Sequence, residues 1–213
     1  MKRFFAIFAA AVALTACLDS DPFLYRYFSM GYVKDDGSLK ADDGRIYTFA
    51  DKPEWNAGER VIAALDATSA VNDSVYNAKM VSFAYPLYKQ PIVFDSVSSE
   101  PDTLGLDEIR IVDAWYSGGC INMSAQIKIL EGAGSNIVNM VVDKRGVPSA
   151  DTLKLVLRHR CNYEVQSTDY LTAYSFYASF PIREHIAAKD SVVLKLSWFW
   201  DGKAGSTEGK VEK

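Results

Sequence analysis

The sequence predicts an all-β protein in which a small OB-like Greek-key barrel precedes an antiparallel β-sandwich. Three observations support this prediction. Aromatic and β-branched residues are prominent in an apolar set that makes up 49% of the chain, and such residues favour strands. Apolar and polar residues alternate in several segments, as they do in half-buried strands. Turn signals such as Asp42-Asp43-Gly44 separate these segments.

The first segment predicts a lipid anchor. A basic start, Met1-Lys2-Arg3, is followed by an apolar run of 11 residues, Phe4 to Leu14. A membrane-spanning helix needs about 20 residues, so the run is typical of a secretory signal. Because lipoprotein processing needs a cysteine directly after the cut, Leu14-Thr15-Ala16-Cys17 predicts a signal peptide over 1–16 and acylation, for example with palmitate, at Cys17. The alternative is a plain signal peptide with an incidental cysteine.

Residues 17–26 are predicted to be a tether. The acidic stretch Leu18-Asp19-Ser20-Asp21-Pro22 resembles the surface-export signal of Bacteroidetes lipoproteins, and the alternative is a solvated spacer. Each acyl CH₂ that is buried in a membrane contributes about 0.8 kcal/mol, so several chains together hold a protein firmly. We therefore expect a lipid-anchored protein of the cell envelope, on either face of the outer membrane.

The charge of the chain argues against a nucleic-acid partner. Removing the first 16 of 213 residues leaves 197 residues with 21 basic and 27 acidic side chains, a net charge of −6. Nucleic-acid binding needs a basic face. A chain of 197 residues is long enough for one large all-β domain or two small ones.

Residues 27–88 are predicted to form the OB-like barrel. Four to five short strands separated by polar turns fit a small Greek-key barrel. Its acidic residues outnumber Lys34, Arg45 and Arg60, which again argues against nucleic acid. Trp55 lies in a predicted loop, where it would either stack on a sugar ring or cap the barrel core.

Residues 89–105 are rich in Pro and Ser and are predicted to be a linker, in which Ile92-Val93-Phe94 could form a short strand. Residues 106–201 then show clear alternation, with Ile121, Met123, Ala125, Ile127 and Ile129 on one face. About six antiparallel strands predict a β-sandwich. Residues 202–213 are predicted to be a mobile tail.

The chain resembles the NigD-like lipoproteins of Bacteroidetes. The residues that carry this resemblance are Leu14-Thr15-Ala16-Cys17, the Asp43-Gly44 turn, Gly58-Glu59-Arg60-Val61, Trp115 with Ser117-Gly118-Gly119-Cys120-Ile121-Asn122, Leu155 to His159, and Ser179-Phe180-Pro181-Ile182. The resemblance covers nearly the whole mature chain and implies an OB-like amino-terminal domain followed by a β-sandwich. It implies a fold and a location, and no reaction.

The sequence contains no recognisable catalytic, metal or cofactor motif, so we expect no enzyme activity, metal or cofactor. Cys120 and Cys161 could form a disulfide in an oxidising compartment, although they lie on strand faces of different polarity. Cys120 could instead act as a thiol nucleophile with His159, but nothing in the sequence places them together. A buried, hydrogen-bonded structural role is the other explanation for His159.

A recurring Asp-Ser/Thr-aliphatic motif resembles the O-glycosylation site of exported Bacteroidetes proteins. It predicts glycan at Ser74, Ser96, Thr103, Thr152 and Ser191. The alternative is that Asp and Ser/Thr end a turn and the aliphatic residue opens a strand.

Together these observations lead us to expect a non-catalytic envelope lipoprotein that presents a β-rich binding surface. The alternatives are an accessory glycan-binding protein and an immunity or structural partner of another envelope protein. The expected contacts are the membrane, through the lipid anchor, and an envelope protein or a glycan.

Overall fold

The computed structural model of the chain describes residues 26–95, 104–132, 134–145, 151–165, 171–187 and 190–212. These residues form two compact units, one ending at Ala84 and the other beginning at Tyr85. Both units are built from strands, and the described part of the second unit also contains one short helix. The prediction of an all-β chain with a small barrel before a larger β-unit is therefore confirmed.

The first unit, called the barrel unit below, is a closed five-stranded barrel with the strand order β1-β2-β3-β5-β4. Every pairing is antiparallel except that of β3 with β5, which is parallel. Two register shifts in the β4–β5 pair, one with an extra residue in each strand, bend these strands so that the barrel closes. The strands are β1 (Arg26–Val33), β2 (Leu39–Ala41), β3 (Ile46–Phe49), β4 (Arg60–Ala70) and β5 (Val75–Ala84).

The barrel core is filled by inward-facing residues of these strands, among them Leu39, Tyr47 and Leu65, which have no exposed surface. Trp55 closes the core from its loop. It is 9% exposed, packs against Phe49 and donates from Nε1 to the Gly37 carbonyl at 3.2 Å. Trp55 therefore caps the barrel and is not placed to stack on a sugar.

The second unit, called the sandwich unit below, is one curled nine-stranded sheet. Its order is β6-β12-β9-β8-β13-β11-β10-β7, and β14 pairs with β13. The strands are β6 (Leu87–Tyr88), β7 (Ile92–Phe94), β8 (Ile109–Ser117), β9 (Cys120–Ile129), β10 (Asn136–Asp143), β11 (Thr152–Cys161), β12 (Thr172–Pro181), β13 (Ser191–Trp200) and β14 (Lys203–Glu212), and helix α1 (Arg183–Ile186) precedes β13.

The sheet curls into two halves because β8 and β13 pair only at Ile109 and Phe199 among the described residues. The inner faces of the two halves share one core, to which β9 contributes Met123, β12 contributes Phe180 and β13 contributes Leu194. The chain leaves β11, crosses to β12 in the opposite half and returns as β13. For this reason β11 and β13 run parallel, an arrangement that an antiparallel sandwich does not predict.

Three predicted boundaries differ from the structure. The predicted barrel, 27–88, extends into the sandwich unit, because β6 pairs with β12. The predicted linker, 89–105, contains β7, which pairs in parallel with β10. The predicted mobile tail, 202–213, is wrong, because Lys203–Glu212 forms β14 and pairs with β13 from Ser191 to Trp200. The tail lacks large apolar side chains, but its backbone completes the sheet.

Candidate functional site

One opening of the sandwich unit is a cleft between β8 and β14, called the β8–β14 cleft below. Its volume is about 360 Å³. It opens because β8 leaves β13 after Ile109 and enters the opposite half of the sheet. The cleft is lined by Ala114, Trp115 and Tyr116 of β8, Ile121 of β9, Leu194 and Leu196 of β13, and residues 207–212 of β14.

Small side chains on β14 leave this cleft unfilled. Gly209 pairs with Leu194 and Thr207 pairs with Leu196, and cross-strand partners share a face of the sheet. Gly209 and Thr207 therefore face the core, yet both are exposed, whereas the two leucines are 2% and 3% exposed. A Cβ atom added at Gly209 would have no heavy atom within 4 Å.

Gly205, on the same face of β14, lies in a different environment. It pairs with Trp198, and a Cβ atom placed there would lie 2.4 Å from Cε2 of the indole. Real side chains do not approach so closely, so Gly205 is needed for the indole to lie across β14. The inner face of β14 is therefore filled at Gly205 and open at Gly209.

A second opening, of about 280 Å³, lies at another part of the sandwich unit. It is lined by Ile127, Ile129, Asn136, Val138, Tyr174 and Phe176. The rings of Tyr174 and Phe176 are stacked, with centroids 6.5 Å apart and planes inclined by 14°. Tyr174 is 53% exposed, so an aromatic face is available to a ligand at this opening.

His159 lies in a buried polar cluster beside this second opening. It has no exposed surface. Its Nδ1–H donates to the Glu108 carbonyl at 3.1 Å, and Nε2 lies 3.0 Å from Oδ1 of Asn136. Burial lowers the pKa of His159, against the opposing effects of the Glu108 carbonyl and the Asp107 carboxylate. His159 is therefore a buried, hydrogen-bonded histidine whose lowered pKa favours the neutral ring, which fits the structural alternative.

The thiol beside His159 belongs to Cys161, which the sequence did not single out as a partner. Its Sγ atom lies 3.9 Å from Nε2 of His159. Burial and the neighbouring Asp107 carboxylate raise the pKa of Cys161, and the pKa of His159 is lowered. Transfer of the thiol proton to the imidazole is therefore disfavoured, whereas a nucleophilic cysteine needs a lowered pKa.

The suggested disulfide between Cys120 and Cys161 is not formed in the structure, where neither sulfur is part of a disulfide. Cys120 pairs with Ser117, at the end of β8, whereas the Cys161 amide donates to Asp107, just before β8 begins. About 10 residues of extended chain separate Asp107 from Ser117, or roughly 30 Å. A disulfide needs Cα atoms within about 7 Å. The suggested pairing of Cys120 with His159 fails for the same reason.

Three of the predicted glycosylation sites lie where a turn meets a strand. Ser74 is exposed and directly precedes β5. Thr152 and Ser191 are half-buried first residues of β11 and β13. This placement fits the turn-to-strand explanation of the motif and leaves glycosylation a prediction. Ser96 and Thr103 lie outside the described residues, as does Cys17.

The barrel unit contains one buried ion pair. The Arg60 side chain has no exposed surface and that of Asp42 is 7% exposed. Arg60 donates from both terminal nitrogens to the two carboxylate oxygens, at 3.0 and 2.6 Å, and its guanidinium lies 4.8 Å from the Tyr32 ring centroid. The sequence drew attention to Arg60 through the resemblance, but no local pattern indicated that it is buried.

No group of three or more His, Cys, Asp or Glu side chains among the described residues could hold a metal ion. None of the helices described is long and apolar enough to cross a membrane.

Comparison with known proteins identifies the fold. A protein of unknown function (DUF1344) from Bacteroides vulgatus superposes with a TM-score of 0.71 at 16% identity, covering 89% of this chain and 92% of its own. A NigD-like immunity protein from Bacteroides caccae gives 0.61 at 20% identity, covering 88% and 93%. A candidate lipoprotein from Bacteroides fragilis gives 0.62 at 10% identity, covering 88% and 98%.

The chain has the fold of these proteins. The resemblance to NigD-like proteins that the sequence indicated is thus confirmed at the level of the fold. No protein-family model matches the chain, and no curated protein does.

Proposed function

We propose that the chain is a lipid-anchored protein of the bacterial envelope that has no catalytic role and presents a binding surface on its sandwich unit. The observation that carries this proposal is the β8–β14 cleft. Its core-facing residues Thr207 and Gly209 are exposed instead of packed. An open, largely preformed cleft with mixed apolar and polar lining is the usual form of a binding site.

Three further observations support this proposal. The predicted signal sequence and Cys17 support a location outside the cytoplasm. The fold likeness to a candidate lipoprotein and to a NigD-like immunity protein agrees with an envelope location. The neutral His159–Cys161 pair lacks the activated thiol that nucleophilic catalysis would need.

Anchoring is tested by labelling cells that express the full chain with palmitate and fractionating their membranes. We expect label and membrane association for the wild-type chain and for the control Cys161→Ala. Cys17→Ala should lose both, because the acyl acceptor is gone. Equal membrane association of Cys17→Ala, or an intact mass that retains residues 1–16, would show that the anchor is wrong.

The outer membrane is the proposed location within the envelope, because acidic residues follow Cys17. Density-gradient separation of inner and outer membranes tests it. Protease treatment of intact cells then distinguishes the cell surface, where the chain is cut, from the periplasmic face, where it is protected. Recovery with the inner membrane would contradict the proposal.

Accessory glycan binding is a second candidate, and the stacked, exposed Tyr174 favours it. Aromatic rings with a free face pack against other flat or apolar groups. Binding to a glycan array that is lost in Tyr174→Ala and kept in Tyr177→Ala would support this candidate. A third candidate, an immunity or structural partner of another envelope protein, is favoured by the similar NigD-like immunity protein and predicts one stoichiometric partner after crosslinking.

A further inference from the structure

We propose that the β8–β14 cleft receives an extended segment of a partner protein, which adds as a strand between the two sheet edges. This inference rests on the proposed function, because it names the ligand class of the binding surface. It is argued from the strand edges, their direction, the side chains that face the cleft and the charges on its rim.

Backbone edges line the cleft on both sides. Six consecutive residues of β14, Thr207 to Glu212, and three of β8, Ala114 to Tyr116, form its walls. Successive side chains of a strand point to opposite faces of the sheet. A run of consecutive residues can therefore line one cleft only along the edge of the strand. Among the described residues β14 pairs only with β13, and β8 pairs with β13 only at Ile109. Such edges offer backbone donors and acceptors to another strand.

The direction of the two edges fits one inserted strand. Both β8 and β14 are antiparallel to β13, so they run in the same direction as each other. A segment that runs the opposite way is therefore antiparallel to both edges at once. Antiparallel pairing is slightly more stable per residue than parallel pairing. A lipid chain in the same place would leave these backbone groups without partners.

The inner face of the cleft selects alternate side chains. Thr207 and Gly209 leave space above Leu194 and Leu196, so every second residue of an inserted strand would face an apolar floor. Small branched residues such as valine fill this space and favour strands. The partner segment should thus alternate apolar residues facing inward with polar residues facing solvent.

The rim of the cleft favours basic residues at the solvent-facing positions. Asp113 of β8, Glu208 and Glu212 of β14 are exposed. Lys195 pairs with Glu208 at 2.9 Å and Lys210 pairs with Glu212 at 2.5 Å. These two ion pairs balance the charges of Glu208 and Glu212. Asp113 directly precedes the lining residue Ala114, and its carboxylate would attract a lysine or arginine of the partner. Charge complementarity of this kind sets register and partner choice.

The test uses a designed peptide and the whole mature chain. The probe is the amidated, acetylated peptide Thr-Val-Lys-Val-Lys-Val-Thr, and the control peptide has proline in place of the central valine, because proline cannot donate to a strand pair. The protein lacks residues 1–16 and carries Cys17→Ala. We expect saturable binding of the probe by calorimetry, with Kd below about 1 mM, and none of the proline peptide.

Two matched variants locate the site. Gly209→Val places a side chain in the open part of the cleft and should weaken binding at least about tenfold. Ser206→Val places the same side chain on the opposite face of β14, since Ser206 pairs with Ser197 on the outer side, and should change binding by less than about twofold. Thermal unfolding of both variants should match that of the wild type.

Several results would overturn the inference. These are the absence of saturable binding, equal binding of the proline peptide, and equal binding by Gly209→Val. Tighter binding after removal of residues 17–25 would show that the chain's own segment occupies the cleft, and self-association that Gly209→Val abolishes would assign it to a second copy. None of these results affects palmitate labelling at Cys17, so failure of the strand proposal and failure of the anchor are distinguishable.

Discussion

Removal of the carboxylate charge at Asp42 is expected to destabilise the barrel unit strongly. Its partner, Arg60, has no exposed side-chain surface and donates two hydrogen bonds to the Asp42 carboxylate. In Asp42→Asn the guanidinium stays charged and buried without a counter-ion. Breaking a buried pair in this way costs about 3–5 kcal/mol. Since single domains are stable by only about 5–15 kcal/mol, the variant should lose about a fifth or more of the barrel's stability.

The adjacent residue supplies the control. Asp43 pairs with Arg45 in the same turn, but the side chains are 45% and 36% exposed. Exposed pairs contribute only about 0–1 kcal/mol, and asparagine keeps the oxygen that accepts from the Arg45 amide at 3.0 Å. We therefore expect Asp43→Asn to be close to the wild type. The two substitutions lie at adjacent positions, and each replaces an aspartate with an asparagine.

Hydrogen exchange of peptides from β1 and β4 in increasing urea measures this effect in the barrel unit alone. With a slope of about 1–3 kcal/mol per M urea, Asp42→Asn should lower the midpoint by more than about 1 M. The double variant Asp42→Leu with Arg60→Met should recover most of the loss, because no buried charge remains. Equal midpoints for Asp42→Asn and Asp43→Asn would refute the argument from burial.

Three further predictions concern the sandwich unit. Gly205→Ala should destabilise this unit by about 1–3 kcal/mol, because the new methyl group meets the Trp198 indole that lies across Gly205. Gly209→Ala should leave its stability unchanged. Thermal unfolding compares the two variants, and equal losses of stability would contradict the packing described. Because the pKa of His159 is lowered in the folded state, the unfolded state binds its proton first as pH falls below about 6.5. Stability should thus decrease from pH 7 to pH 5, and His159→Gln should flatten this dependence in urea titrations; an unchanged slope would mean that the histidine is not buried neutral. Alkylation of the unreduced chain should label Cys161 in the folded state and Cys120 only after unfolding, since Cys120 is 1% exposed, and resistance of both thiols after unfolding would indicate a disulfide.

The sequence was sufficient where burial follows a regular pattern. The alternation from Ile121 to Ile129 predicted β9, and Met123 and Ala125 are completely buried in the shared core. Trp55 was predicted to cap the barrel because a large aromatic in a loop usually buries its ring, and it does so. Local periodicity was enough in these cases because one face of each element meets the core.

The sequence was insufficient where long-range pairing decides the structure. β14 has glycines and charged residues, which are typical of a mobile tail, but its backbone pairs with the whole length of β13. The alternation of Gly205, Thr207, Gly209 and Val211 with polar residues was the signal that could have revealed it. The proximity of Cys161 to His159 depends on a strand register that no single-sequence pattern fixes, and so does the cleft itself.

The position of β13 in the chain sets the order in which the protein can fold. Barrel strands are complete by Ala84, whereas the strand that holds β11, β8 and β14 together begins only at Ser191. During synthesis β8 and β9 can pair, as can β10 and β11, but β13 cannot join the two halves of the sheet until Ser191 and the residues after it have emerged. If the chain is exported as we propose, this order would keep the sandwich unit from closing before the chain has crossed the membrane.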